Sequence, residues 1–148
     1  MEVTIFDIDG TLADISHRLD FVNGAKKDYK KFYDGIPDDK PIEPLVELAK
    51  LLILSGVEVL FTSGRPEATR NITINWLKNN GIITDFNTRL FMRKDGDYRP
   101  DDKIKEEILH QIQSLGFAPK LVFEDRQKVV DMWRSHGIRV AQVAPGNF

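Results

Sequence analysis

Short apolar runs alternate along this chain with longer segments of helical periodicity, and this alternation restricts the possible folds more than any other feature. The runs predict five strands, at 2–7, 57–62, 90–92, 121–123 and 138–143. The segments between them predict four helices, at 43–55, 67–80, 101–115 and 126–136. Strands that alternate with helices indicate an α/β fold, with a mostly parallel five-stranded sheet flanked by helices and right-handed crossovers.

Local signals support the predicted helices. A glycine follows three of them, at Gly56, Gly81 and Gly137, and glycine commonly ends a helix because it adopts a left-handed conformation without strain. The third helix has the clearest apolar face, formed by Ile104, Ile108, Leu109, Ile112 and Leu115. Trp76 and Trp133 lie at helical positions and are expected in the core.

Residues 14–42 interrupt this alternation. They are polar, contain Pro37 and Pro41, and carry four lysines within residues 26–31. A stretch of roughly 30 residues is long for a plain loop, so it is expected to be functional or partly ordered on its own, as a small insertion over the sheet edge. The whole chain, 1–148, is expected to form a single domain.

Composition excludes several classes of protein. The chain has no cysteine, which excludes a disulfide framework, a cysteine-ligated zinc site and a thiol nucleophile. Its net charge is −2, whereas proteins that hold long stretches of duplex nucleic acid are usually basic, so contact with nucleic acid is expected only at an end or over a few nucleotides. There is no basic leader and no long apolar stretch, so we expect no signal peptide, no membrane span and a cytoplasmic location.

Chemically reactive residues follow the predicted strands. They are Asp7 and Asp9 after the first, Ser63, Gly64 and Arg65 after the second, a charged loop leading to Asp101, Lys103 and Lys105 after the third, and Glu124 and Asp125 after the fourth. Ligands bind to open parallel sheets beyond the carboxyl ends of the strands. The sequence therefore predicts that these residues form one site.

Asp7 and Asp9 are two carboxylates two residues apart at the end of a strand. One can attack an electrophile while the other moves a proton, with a metal ion reducing their mutual repulsion. Gly10 allows a sharp turn and exposes backbone N–H groups. Taken alone, the same residues are equally compatible with an ordinary Asp/Gly turn, so the interpretation depends on the whole set.

A metal ion is expected beside the first of these carboxylates. Asp7, Glu124 and Asp125 concentrate negative charge, which is unfavourable without a cation. All the candidate ligands are hard oxygen atoms, which suits Mg²⁺.

The remaining residues suit a phosphate group. Ser63 can hydrogen-bond a phosphate oxygen, the Gly64 region can supply backbone N–H groups at a helix start, and Arg65 can make a bidentate contact. A lysine of the third helix, Lys103 or Lys105, can supply a fixed positive charge. Each residue alone has a simpler explanation as a cap or a surface charge, and only the set predicts catalysis.

The three histidines are not expected in the site. His17, His110 and His136 show no metal-ligand spacing and are predicted to be surface or helix-end residues.

The set resembles the haloacid dehalogenase (HAD) superfamily of phosphotransferases over essentially the whole chain. The segment DIDGT at 7–11 resembles its first motif, Ser63 the second, the lysine near 103–105 the third and Glu124-Asp125 the fourth. This resemblance implies a Rossmann-like HAD core with a small cap insertion at about 14–42.

A narrower resemblance is to the 3′-phosphatase domain of bacteriophage polynucleotide kinase. The matching segments are FDIDGTLA at 6–13, Arg18 nine residues after Asp9, SGR at 63–65, DDKIKEEI at 101–108, DRQKVVDMWR at 125–134 and QVAPGNF at 142–148. The run KEEI favours Lys105 as the third-motif lysine. Glu124 stands where the family commonly has aspartate, which favours Asp125 as the direct metal ligand. No GxxxxGK[ST] motif is present, so no kinase domain is predicted.

The resemblance implies a Mg²⁺-dependent phosphoric monoester hydrolase that works in two steps. Asp7 would attack phosphorus to form an aspartyl-phosphate, and Asp9 would protonate the leaving oxygen and then activate water. The ion would be held by Asp7, the Asp9 backbone carbonyl and Asp125, with Glu124 acting through water.

The resemblance also implies roles around the phosphate. Ser63 and Lys105 would hold the transferring phosphoryl group. Arg18 and Arg65 would contact the substrate, and Asp101 would orient Lys105 from one helical turn away.

An insertion of this size leaves the site open, which favours a substrate that cannot be engulfed, such as the 3′ end of a polynucleotide in nucleic-acid repair. A nucleoside 3′-monophosphate is a smaller substrate of the same kind. The alternatives are a small-molecule or 5′-nucleotide phosphatase and, less favoured because Asp7 and Asp9 are both intact, a non-catalytic phosphate-binding module. The location would be the host-cell cytoplasm if the chain is encoded by a phage.

Overall fold

The computed structural model describes all 148 residues. The strands are β1 (Glu2–Asp7), β2 (Ala13–Asp14), β3 (Lys40–Pro41), β4 (Val59–Pro66), β5 (Leu90–Arg93), β6 (Ala118–Glu124) and β7 (Val140–Gln142). The helices are α1 (Asp20–Asn23), α2 (Tyr29–Asp34), α3 (Glu43–Leu54), α4 (Arg70–Asn79), α5 (Phe86–Arg89), α6 (Asp101–Ser114) and α7 (Gln127–Ser135). Three single 3₁₀ turns lie at Ser16–Arg18, Ile36–Asp38 and Glu67–Thr69.

Five strands form one parallel sheet in the order β5-β4-β1-β6-β7. From the central strand β1 the chain moves outward through β4 to β5, then crosses back to β6 and β7 on the other side. The strand order therefore reverses between β1 and β6, and ligands of open α/β sheets bind at such a reversal, beyond the carboxyl ends. The predicted α/β fold with helices flanking a five-stranded sheet is confirmed.

Each face of the sheet has its own hydrophobic core. Side chains alternate along β1, so Val3 and Ile5 pack with α6 and α7 on one face, while Phe6 packs with α3 and α4 on the other. Trp133 belongs to the first core and Trp76 to the second, and both are buried as predicted. Because β1 is covered on both faces, the residues at its end are held rigidly.

The insertion is partly ordered, as expected. Its ends pair as a short antiparallel ribbon in which Ala13 faces Pro41 and Asp14 faces Lys40. Between them lie α1, α2 and two 3₁₀ turns, and Ile36 anchors the segment in a hydrophobic core. The ribbon brings both ends of the insertion beside the carboxyl end of β1.

Three strands, β4, β5 and β6, are longer than the apolar pattern predicted, and β7 is shorter. β4 continues to Pro66 because its backbone keeps pairing with β5 past the apolar run, with a register shift between Ser63 and Pro66. Helix α4 begins only at Arg70, after a 3₁₀ turn. The expectation that the Gly64 region lies at a helix start is therefore wrong, because this region belongs to the strand end.

No helix of this chain has both the length and the apolar character needed to cross a bilayer.

Candidate active site

Three parallel strands end together and deliver the predicted residues to one place. β1 ends at Asp7, its neighbour β4 carries Ser63, and β6 ends at Glu124. Helix α6, which packs across the sheet, brings Lys105 to the same edge. The side chains of all four residues are buried.

Three acidic side chains form the centre of the site. Carboxylate oxygens of Asp7, Glu124 and Asp125 lie within 4.8 Å of one another. Asp125 also lies directly over the turn that follows β1, where Gly10 has φ +80° and an added Cβ would come 2.0 Å from Oδ2 of Asp125. Position 10 therefore needs glycine both for its backbone conformation and for the close approach of Asp125.

Lys105 is the lysine that reaches the acidic centre. Its Nζ donates to Oδ1 of Asp7 at 2.8 Å and to Oε2 of Glu124 at 3.0 Å. Burial opposes its charged form, but these two carboxylates outweigh burial and raise the pKa of Lys105 above its ordinary value. Lys103 is exposed, so the choice left open between the two lysines falls on Lys105.

The acidic centre carries more negative charge than this lysine offsets. Burial and the repulsion of Glu124 raise the pKa of Asp7 well above its ordinary value. Burial, followed by repulsion from Asp7, raises the pKa of Asp125 to about 7. A buried excess of hard carboxylate oxygens is the environment that a divalent cation stabilises, so these residues fit Mg²⁺.

Thr11 also contacts the predicted nucleophile. Its Oγ1 donates to Oδ2 of Asp7 at 3.1 Å, while Lys105 donates to the other oxygen. Both carboxylate oxygens are thereby oriented, and the side chain has little freedom to rotate. Thr11 is the last residue of the DIDGT segment, but the sequence pattern alone did not predict that its hydroxyl would contact Asp7.

Asp9 is held by two arginines. Its Oδ1 accepts from Nε of Arg65 at 2.9 Å and from Nη2 of Arg18 at 3.4 Å. Burial alone would raise the pKa of Asp9, but the charges and hydrogen bonds of Arg65, followed by the charge of Arg18, outweigh burial and lower it. In this arrangement Asp9 is a fixed, ionised carboxylate.

Asp39 lies behind both arginines and was missed by sequence reasoning. Its carboxylate accepts from Nε of Arg18 at 2.7 Å, from Nη2 of Arg18 at 2.9 Å and from Nη2 of Arg65 at 3.1 Å. His17, predicted at the surface, contacts the same carboxylate at 2.7 Å through Nε2. Asp39 stands beside Asp38 in a polar insertion, so no sequence pattern distinguished the buried carboxylate from its exposed neighbour.

Both arginines predicted to contact substrate have little exposed surface. Arg18 is fully buried, with its Nη1 donating to the carbonyl of Phe32, and Arg65 donates through Nη1 to Thr73. Their guanidinium groups are occupied by protein partners, chiefly Asp9 and Asp39.

Gly64 and Asp101 fit together tightly. A Cβ on Gly64 would come 2.1 Å from Oδ1 of Asp101, so glycine allows the first turn of α6 to approach β4. Asp101 forms ion pairs with Arg93 at 3.6 Å and Arg126 at 3.9 Å and makes no hydrogen bond to Lys105. The expected direct orientation of Lys105 by Asp101 is therefore corrected to a longer-range attraction, which contributes to the raised pKa of Lys105.

The Ser63 hydroxyl is directed toward the carboxyl end of β4. Its Oγ accepts from the backbone N–H of Arg65 at 3.0 Å, which orients the hydroxyl beside the carboxyl end of β1.

The segment after β7 supports the loop that carries Asp125. The Gln142 side chain donates to the Asp125 carbonyl at 3.1 Å, and the Gln127 backbone N–H donates to the Gly146 carbonyl at 2.9 Å. A Cβ on Gly146 would come 1.9 Å from the Asp125 carbonyl oxygen. The QVAPGNF match at 142–148 thus has a structural basis, since this segment buttresses an acidic residue of the site.

Comparison with known proteins agrees with this geometry. The sequence model of the polynucleotide kinase PNKP phosphatase domain matches residues 1–148. A chain from a Pnkp1/Rnl/Hen1 complex superposes with a TM-score of 0.80 and 28% identity, covering 99% of this chain and 47% of that chain. A chain from a Pnkp1/Rnl/Hen1 RNA repair complex superposes with a TM-score of 0.83 and 29% identity, covering 99% of this chain and 43% of that chain. This chain therefore spans less than half the length of these two relatives.

A more distant solved structure shares the fold. The class C acid phosphatase from Bacillus anthracis with tungstate bound has a TM-score of 0.72 and 13% identity, with 99% of this chain and 67% of that chain covered.

Proposed function

This chain belongs to the family of polynucleotide kinase PNKP phosphatase domains, and from this membership we propose that it removes 3′-phosphate groups from polynucleotide ends or from nucleotides. Its family and fold make it a HAD-type phosphatase, a phosphoric monoester hydrolase. The observation that carries the proposal is Asp7, the last residue of the central strand, oriented by Lys105 and Thr11 beside the acidic pair at 124–125. The RNA repair complex named for one similar structure supports a polynucleotide substrate.

In the proposed first step, an Asp7 oxygen attacks phosphorus and the bond between phosphorus and the substrate's 3′ oxygen breaks. Asp9 is ionised before substrate binds, so it first takes up a proton, from solvent or from a monoanionic substrate phosphate, and then gives that proton to the leaving 3′ oxygen. In the second step, Asp9 takes a proton from water and the resulting hydroxide attacks phosphorus. The bond between phosphorus and the Asp7 oxygen breaks, which releases phosphate and regenerates the Asp7 carboxylate. Arg18 and Arg65 act as positioning residues, because both hold the Asp9 carboxylate.

The residues around Asp7 would hold Mg²⁺ and phosphate. Asp7, the Asp9 backbone carbonyl and Asp125 would hold the ion directly, with Glu124 acting through water. When bound, Mg²⁺ supplies the positive charge that offsets repulsion between a carboxylate nucleophile and a phosphate. Lys105 contributes a fixed positive charge on the other side of Asp7.

The phosphoryl group is proposed to contact residues at the end of β4. Ser63 would hydrogen-bond a phosphate oxygen, and the Gly64 backbone borders the same position. The guanidinium groups of Arg18 and Arg65 already donate to Asp39 and Thr73, respectively. These arginines would therefore contact the substrate only where its phosphate accepts hydrogen bonds from them alongside Asp9. We propose that residues 1–148 form one phosphatase domain with the insertion as a small, open cap.

The test is phosphate release from a 3′-phosphorylated oligonucleotide in the presence of Mg²⁺. Asp7→Asn keeps the size of the side chain but replaces the nucleophilic carboxylate with a neutral amide, so phosphate release is expected to stop while circular dichroism stays native. Asp14→Asn, at an exposed carboxylate of β2, is the matched control and should keep its activity. Undiminished turnover by Asp7→Asn would contradict the mechanism.

A substrate panel tests the choice of substrate. It contains 3′-phosphorylated oligonucleotides, nucleoside 3′-monophosphates, nucleoside 5′-monophosphates and sugar phosphates, each with and without Mg²⁺. We expect the highest kcat/KM on the 3′-phosphates and no turnover after chelation. A marked preference for 5′-monophosphates or sugar phosphates would overturn the proposed substrate while leaving the phosphatase intact.

A further inference from the structure

An aromatic ladder on helix α2 of the insertion leads away from the candidate active site. The rings of Tyr29 and Tyr33 are stacked at 6.3 Å between centroids, and Phe32 meets Tyr33 edge-on at 5.3 Å. Tyr29 and Tyr33 are four residues apart and so lie on one face of the helix. Phe32 and Tyr33 are partly buried, whereas Tyr29 is 51% exposed.

The inner end of this ladder touches the residues that hold Asp9. The Arg18 guanidinium lies 4.4 Å over the Phe32 ring, and the same group contacts Asp9. The Tyr33 phenol lies within electrostatic range of Asp9, Arg18 and Arg93. The three rings therefore start at the catalytic edge of the sheet and end in solvent at Tyr29.

Four lysines flank Tyr29 in the sequence. Lys26, Lys27, Lys30 and Lys31 are all exposed, and Lys30 alone forms an ion pair, with Asp34. Residues 26–31 contain these four lysines and Asp28, a local charge of +3 on a chain whose net charge is −2. A basic patch next to a half-exposed tyrosine stack is the combination that binds single-stranded nucleic acid.

We propose that Tyr29 and Tyr33, with Lys26, Lys27 and Lys31, form a docking surface for the single-stranded segment that precedes the 3′-phosphate. This inference rests on the proposed function. A base stacks on the exposed ring of Tyr29, and the lysines neutralise backbone phosphates on either side. Packing of the insertion explains the buried positions of Phe32 and Tyr33 but gives no reason for the half-exposed Tyr29 and the unpaired lysines.

The first test compares Tyr29→Ala with the unchanged protein on two substrates of different length. Loss of one stacked base is expected to lower kcat/KM about tenfold for a single-stranded, 3′-phosphorylated oligonucleotide of several nucleotides. A nucleoside 3′-monophosphate has no preceding nucleotide to stack on Tyr29, so for this substrate the same variant should change kcat/KM less than about twofold. Tyr29→Phe keeps the aromatic ring, so its kcat/KM on the oligonucleotide should match that of the unchanged protein.

Salt dependence tests the lysines. Each phosphate contact removed from a single strand lowers the slope of log affinity against log salt by about 0.7. Lys27→Ala combined with Lys31→Ala should therefore reduce the slope of oligonucleotide binding by about 1.4. Lys120→Ala is the matched control, because that exposed lysine lies on β6 next to Glu2, at the opposite end of the sheet, and should leave the slope unchanged.

The outcomes separate this inference from the proposed function. If the unchanged protein releases phosphate from neither 3′-phosphorylated substrate, the proposed function fails. If it hydrolyses both, and Tyr29→Ala matches it on the oligonucleotide or loses activity equally on both substrates, the docking surface is overturned. An unaltered salt slope in the double lysine variant would also overturn it, and the patch would then suit a protein partner instead.

Discussion

Asp39 has no exposed side-chain surface, and its two oxygen atoms accept hydrogen bonds from both arginines that hold Asp9. Two buried guanidinium groups thus share two carboxylates, Asp9 toward the site and Asp39 behind it. Removing one member of such a network leaves a buried charge without its partner, which is far more destabilising than losing a surface ion pair. Asp39 therefore determines where Arg18 and Arg65, and through them Asp9, are placed.

Asp39→Asn is expected to lower the free energy of unfolding by about 3 kcal/mol, because Arg18 and Arg65 lose a buried counter-charge. Urea denaturation followed by circular dichroism measures this change. Asp38→Asn is the matched control, since its exposed carboxylate should change the free energy by less than about 0.5 kcal/mol. Equal stability of the two variants would show that Asp39 does not carry the network.

Lys105→Ala is expected to lower kcat by about a hundredfold or more, because the lysine both orients Asp7 and offsets charge at the phosphate. Steady-state phosphate release measures the effect. Lys103→Ala, two residues away but exposed, should stay within about twofold of the unchanged protein. A larger loss from Lys103→Ala would reverse the assignment of the third-motif lysine.

At the scale of elements, the loop between β6 and α7 depends on the segment after β7. The Asp125 carbonyl accepts from Gln142, and the backbone at Gly146 passes so close that no side chain fits there. An element that is distant in sequence therefore sets the position of a metal-ligand candidate. The sequence match over 142–148 signalled that this segment matters, but only the packing shows what it does.

Gly146→Ala is expected to displace the Asp125 loop and so raise the Mg²⁺ concentration for half-maximal activity by about tenfold, as changes behind metal ligands commonly do. A titration of activity against Mg²⁺ measures this shift. Gly24→Ala is the control, because no heavy atom lies closer than 3.9 Å to its added Cβ and its φ is −85°. An unshifted titration for Gly146→Ala would mean that the loop relaxes without moving Asp125.

At the scale of the whole molecule, both faces of the sheet are sealed by helices and the excess charge is concentrated at one edge. The core determines that the sheet forms, and the parallel order places three strand ends together. A cation that binds only the folded chain then stabilises the entire molecule, since the acidic site exists only when β1 and β6 are paired.

Mg²⁺ at about one hundred times its Kd is expected to stabilise the fold by about 2.7 kcal/mol. For a domain of this size that corresponds to a rise in Tm of roughly 5–10 °C. The rise in Tm is measured by thermal unfolding in Mg²⁺, compared with unfolding in sodium chloride at equal ionic strength. Asp125→Asn should lose most of the rise, and a full rise in that variant would place the ion elsewhere.

The sequence by itself determined the alternation of strands and helices, the amphipathic face of α6 and the polar residues that follow each apolar run. These are local properties, because side-chain periodicity and chain order are written along the sequence. Asp7, Asp9, Glu124 and Asp125 could therefore be chosen as candidates, and the resemblance favoured Lys105 over Lys103 before any contact was known.

The tertiary structure decided which polar groups are buried together. Asp39 and Asp38 are identical neighbours in sequence, yet only Asp39 meets Arg18 and Arg65 across the fold. Likewise, β4 extends to Pro66 because its backbone pairs with β5. Asp101 forms ion pairs with Arg93 and Arg126 instead of a hydrogen bond to Lys105. The physical reason is that burial and charge pairing depend on distances between segments far apart in the chain, and those distances exist only after the sheet has formed.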